Sequence, residues 1–157
     1  MSNKKAVIGI GNTLRKDDGV GIVVLESLIR SHKKNGIDYF DLGSASFDLI
    51  NRIQNYDAVL IIDAIKAELP VGELKIFELN SVNYPANISP GSTHDLDLRN
   101  VFEICKKLKI KTKIFIAGIS VEDVSYGEEL SDLLRPKVKN IIKRIDLFIT
   151  TKLIIDR

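Results

Sequence analysis

Cysteine is nearly absent from this 157-residue chain. With Cys105 alone no internal disulfide can form, which suits a reducing compartment. No apolar run reaches the ~18 residues of a membrane span, and the N-terminus passes into an apolar strand pattern without a signal-peptide core. The cytoplasm is therefore the expected location, by subtraction. Charge of one sign is equally scarce: the formal net charge is +2 and the lysines are dispersed, so no nucleic-acid partner is expected. A Gly-Lys-Ser/Thr phosphate loop is missing, and Leu14 stands where a dinucleotide fingerprint needs its third glycine. Repeats, low-complexity tracts and linkers are missing too. Residues 1–157 read as one domain, long enough to bury roughly 68–70% of its unfolded surface.

Against that background, residues 6–19 stand out. Residues 6–10 are a short apolar run that suits a strand buried on both faces. Gly9 and Gly11 then allow a turn, and Asn12 tolerates unusual dihedrals. Val20, Val24 and Leu28 repeat at helical spacing soon afterwards, so Asp17 and Asp18 are expected in a helix's first turn at the carboxyl end of a strand. Ligands of open parallel sheets bind at that edge. Acidic residues also cap free amides there, by roughly 0.5–2 kcal/mol, so the pair alone is divided between cap, solvated surface and site.

Residues 37–42 alternate like a second strand, and the small residues 43–46 suit a helix cap or a pocket lining. Residues 58–62 are the clearest central strand, expected to end at Asp63. A carboxylate after five buried apolar residues needs solvent, a partner or a metal, and a second acidic group on the same rim makes a metal or acid–base candidate. Residues 73–79 alternate with period two, as a half-solvated and antiparallel edge strand would. Residues 80–92, with Pro85, Pro90 and Gly91, are expected to form a functional loop that delivers His94 to a helix start. His94 is not required there for packing, so a ligand or catalytic role stands beside that of a surface histidine. His32, at a helix end, reads as solvated. Residues 113–118 are a further strand, and a final helix is expected from Glu128, kinked or divided by Pro136. Strands alternating with helices predict an α/β fold: a three-layer α/β/α sandwich around a mostly parallel sheet of about five strands with one antiparallel edge strand.

Taken together, Gly9-Ile10-Gly11-Asn12, Asp17-Asp18-Gly19-Val20-Gly21, Ile61-Ile62-Asp63-Ala64 and Ser92-Thr93-His94 resemble the hydrogenase maturation endopeptidases, in order and over nearly the whole chain. The resemblance implies a cytoplasmic, aspartyl-type endopeptidase that removes the C-terminal extension of a nickel–iron hydrogenase large-subunit precursor after nickel insertion. Asp18, Asp63 and His94 fall on the metal-contacting and catalytic positions, and Asp17 becomes a cap or a support behind them. Nickel is expected to arrive with the substrate as a recognition tag, with other divalent ions able to substitute in vitro. Two carboxylates and one imidazole leave coordination positions open for substrate or water. Two departures from the family pattern bear on substrate choice: residues 118–121 carry no proline, and residues 43–46 have one glycine where two are expected. No serine or cysteine nucleophile is evident. A precursor-binding, metal-checking or chaperone-like protein that does not cut, and a small-molecule hydrolase, are the alternative readings.

Overall fold

The computed structural model describes residues 3–44, 46–80, 88–92 and 98–155. Strand β1 (Lys5–Gly9) is buried along its whole length, as its unbroken apolar pattern requires of a strand covered on both faces. It pairs in parallel with β2 (Ile37–Asp41) on one side and with β3 (Ala58–Ala67) on the other. After β4 (Leu74–Glu78) and β5 (Ile88–Ser92), β6 (Lys113–Ser120) returns parallel to β3. The sheet runs β2-β1-β3-β6-β4, with β4 antiparallel on β6 at the edge, as its half-solvated alternation predicts. The fold is thus the expected mostly parallel five-strand sheet with helices around it, plus one further strand: β5 lies antiparallel on β3.

Alternation along the strands divides the core in two. Val7, Leu60, Ile62 and Ala117 pack with helices α1 (Val20–Ser31) and α4 (Val138–Phe148). Ile8, Val59, Ile61 and Ile116 pack on the opposite face with α2 (Ser46–Ile53) and α3 (Leu98–Lys107). Each helix carries a stripe of apolar residues three and four apart and buries it against the sheet. Cys105 is buried in the second of these clusters, where burial pushes its thiol upward from the ordinary value.

Three expectations are revised. β3 does not end at Asp63 but runs on to Ala67, because β6 continues to pair with it through Ile65 and β5 takes the side that β1 has left. Part of the expected loop at residues 80–92 is this strand β5; Pro90 is tolerated there because β5 pairs with β3 alone. The last helix starts at Val138, not at Glu128. Pro136 lies in the 3-10 turn Arg135–Lys137 that opens it, where a fixed φ and a missing N–H are least costly, and Leu133, expected in the apolar stripe, is exposed. His32 sits at the end of α1 with its Nδ1 3.6 Å from an Asp146 carboxylate oxygen, remote from the carboxyl rim.

Candidate active site

The carboxyl rim of the parallel strands is built on very close backbone approach. Gly9 and Ile62 form the last pair between β1 and β3, and the Ile10 amide still donates to the Ile62 carbonyl at 3.0 Å. A Cβ on Gly21 would lie 2.5 Å from that carbonyl oxygen and 2.5 Å from that of Ile10. Only glycine lets α1 start so directly over the end of the sheet. Gly11 has φ +146°, and a Cβ there would come within 2.1 Å of the Asp18 carbonyl oxygen. The backbone that carries Asp18 therefore rests on Gly11, two residues beyond the Gly9–Ile62 rung. Asp63 is the first residue beyond the same rung on β3.

Asp18 occupies the 3-10 turn Lys16–Gly19 that leads into α1, and this turn packs against β3. Both Asp18 and Asp63 are fully buried. An Asp18 carboxylate oxygen accepts the Asn12 backbone amide at 3.0 Å, while the Asn12 side-chain oxygen accepts the Leu14 amide at 3.0 Å, the local turn bond that suits asparagine at this point in the loop. By strand alternation Asp63 shares the side of Val59 and Ile61, the face covered by α2 and α3. Burying an ionised carboxylate costs several kcal/mol unless donors or opposite charge compensate it, so two of them on one rim single this place out as a candidate site. A polar cleft of about 340 Å³ opens beside the turn, lined by Gly11, Asn12, Leu14, Glu26 and Asp41 among others.

The third expected site residue, His94, lies outside the described residues. The described chain stops at Ser92, paired with Ile65 two residues beyond Asp63, and resumes at Leu98. Among the described residues no three histidine, cysteine or acidic side chains gather as a metal cluster.

Asp17, the other half of the acidic pair, does something different. It is also fully buried, but its two carboxylate oxygens accept the Ser131 amide at 2.6 Å and the Ser131 hydroxyl at 2.6 Å. Adjacent residues in one turn thus point their charges at different partners. Asp17 does not cap its own helix. Ser131 is 114 residues away, and no spacing or composition signal in the chain connects the two. Next to them Lys16 has φ +41°, a left-handed conformation that costs a non-glycine residue about 1–2 kcal/mol. Its amide donates to the Gly127 carbonyl at 2.8 Å and its Nζ to an Asp123 carboxylate oxygen at 2.8 Å. The Lys16 ammonium and then the Ser125 donors hold the Asp123 carboxyl down at about 2, and Asp123 in turn raises the Lys16 amine above its ordinary value.

An α/β sandwich with paired carboxylates sunk into the carboxyl rim of its parallel strands is a common setting for metal-dependent or acid–base chemistry. The sequence profile of the hydrogenase maturation proteases matches residues 22–147, and the chain belongs to that family. A putative hydrogenase maturation protease of Methanocaldococcus jannaschii is 31% identical over 134 residues, covering 78% of this chain and 75% of that protein. The hydrogenase expression/formation protein HupD of Thiocapsa roseopersicina is 28% identical over 137 residues; the match takes in 87% of this chain but 61% of that longer protein. Among solved structures, the hydrogenase maturating endopeptidase HybD from E. coli superposes with a TM-score of 0.78 at 20% identity, over 94% of this chain and 92% of that one, a likeness of fold.

Proposed function

We propose that the chain is an endopeptidase that removes the C-terminal extension of a nickel–iron hydrogenase large-subunit precursor once nickel has been inserted. Asp18, Asp63 and His94 read the nickel carried by the substrate. The observation that carries this reading is the pair of fully buried carboxylates, Asp18 and Asp63, flanking one rung of the sheet in a chain of the maturation protease family. Carboxylate oxygens with an imidazole nitrogen suit a divalent ion of intermediate softness such as nickel. The nickel would act as a Lewis acid on the scissile carbonyl or on water, and Asp18 or Asp63 would accept the proton released by the attacking water. Asn12 fixes one Asp18 oxygen from behind. The cleft along residues 11–14 gives an extended peptide a place to lie beside the rim.

The test is to incubate the purified protein with nickel-loaded and nickel-free precursor and to follow the precursor's mass. Loss of the C-terminal peptide from the loaded form alone is the expected result. Equal cleavage of both forms would remove the metal-tag part of the reading. Binding of the loaded precursor without peptide release would replace the protease by a metal-checking partner.

A further inference from the structure

We propose that Asp17 and Ser131 form a latch that positions Asp18, so that residues 123–131, far from the site in sequence, set the geometry of its carboxylate. This rests on Asp18 being the working carboxylate of the proposed function, and it adds a pair of positioning residues to that reaction.

The connection is continuous from the core to the site. Leu134 is fully buried in the cluster under α1 and α4, and its amide bonds back to the Ser131 carbonyl at 3.1 Å. Ser131, so anchored, gives both its donors to Asp17. Asp17 is covalently next to Asp18, and its own amide donates to the Asp123 carbonyl at 3.1 Å. The same segment holds the turn at two further points: the Gly127 amide donates to the Leu14 carbonyl at 2.9 Å, and the Arg15 Nε to the Val124 carbonyl at 3.1 Å. Lys16, strained into the left-handed region, is kept there by its bonds to Gly127 and Asp123. A strained, glycine-poor turn does not hold its shape on its own account; the surrounding structure must over-determine it. Two buried carboxylates on consecutive residues also repel. Two short bonds to Ser131 fix the Asp17 charge on the side of residues 123–131, which leaves the Asp18 carboxylate directed to the Asn12 amide on the cleft side.

The Asn12 amide reports directly on where the Asp18 carboxylate stands, and it does so without substrate. In Ser131→Ala, which keeps the amide donor and loses the hydroxyl, amide hydrogen exchange at Asn12 should rise about ten-fold, since one hydrogen bond to a carboxylate is lost from the local opening equilibrium. kcat for precursor cleavage should fall by a similar factor with KM unchanged. Asp17→Asn should do the same or more, and Ser131→Thr, which restores the hydroxyl, should return both readouts to within two-fold of the parent. Thr112→Ala is the control for general loss of stability. Its hydroxyl bridges the Ile53 and Tyr56 carbonyls at 2.8 and 2.7 Å at the opposite rim, so its loss should lower Tm while leaving Asn12 exchange and kcat unmoved. The latch is overturned if Ser131→Ala and Asp17→Asn leave Asn12 exchange within two-fold of the parent, or if Thr112→Ala moves it equally. Should the parent protein fail to cleave any precursor, the proposed function falls, while Asn12 exchange still decides the latch.

Discussion

Aspartates stand at both ends of the parallel strands, and burial divides them. Exposed ones, including Asp41 at the carboxyl end of β2, where it accepts the Gly43 amide at 2.9 Å, serve local turns, while three at the carboxyl rim are sunk out of solvent. At the amino rim Asp38 and Asp57 are exposed and serve local structure. Asp38 accepts the Tyr56 hydroxyl at 2.7 Å, and Asp57 accepts the Lys4 amide at 2.8 Å. Burial first and Asp38 second push the Tyr56 hydroxyl up to about 12, so it remains a donor throughout the ordinary range. At the carboxyl rim Asp17, Asp18 and Asp63 are all fully buried. The residue type is the same, and the cost is not. An exposed carboxylate keeps its water, whereas a buried one must be compensated by donors or by a cation, and a fold selected for stability alone has no reason to sink three of them together. The two rims thus differ in what a carboxylate costs there: exposed aspartates close turns, and the buried ones at the carboxyl rim are held by specific donors such as Ser131 and the Asn12 amide.

The sharpest way to break the contrast is to neutralise carboxylates at each end. Asp18→Asn and Asp63→Asn should each lower the rate of precursor cleavage by about 10²–10⁴-fold, the usual worth of a proton-transferring group, with the circular dichroism spectrum retained. Asp38→Asn at the amino rim should cost no more than about 1 kcal/mol in denaturant unfolding and leave the cleavage rate alone. Loss of cleavage in Asp38→Asn equal to that in Asp18→Asn would erase the distinction.

A second substitution attacks the backbone of the carboxyl rim. In Gly11→Ala the added methyl would meet the Asp18 carbonyl at 2.1 Å from a φ that disfavours side chains. Destabilisation of about 2–4 kcal/mol is expected from overpacking and strain together, read as a lowered denaturation midpoint at unchanged m-value. The smallest effect concerns acid. The Asp123 carboxyl, at about 2 in the folded chain, stands below its ordinary value of 3.8, so the stability it contributes is present above 3.8 and is lost as pH falls through about 2. Asp123→Asn should flatten the unfolding midpoint against pH between those limits and change nothing at neutral pH beyond the lost Lys16 contact. An unaltered acid limb in the variant would show that the Lys16–Asp123 pair holds the turn by shape alone.

Much of this protein is legible along the chain because its signals are local. Five apolar residues followed by glycine, asparagine and two aspartates describe a strand, a turn and a helix start without reference to anything distant. The period-two pattern of residues 73–79 reads as the antiparallel edge strand that β4 is. The acidic pair and Asp63 could be placed on one rim from the alternation of strands and helices. Where the reading stopped short, the deciding partner was remote or the pattern was shared between structures. β3 runs past Asp63 because β5 and β6 flank it there, which no local feature of residues 63–67 announces. Residues 128–137 have the apolar spacing of a helix and yet form a turn and a 3-10 entry, because Pro136 favours a start over an interior and Ser131 is drawn to Asp17.

The sequence by itself determined that a glycine-bearing turn and an acidic pair lead from the first strand into the first helix, since periodicity and glycine placement act over a few residues. Only the tertiary structure decided which aspartate is held by Ser131 and which accepts the Asn12 amide. Asp17 and Asp18 are chemically identical neighbours, and what separates them is a serine that the chain brings alongside only after folding.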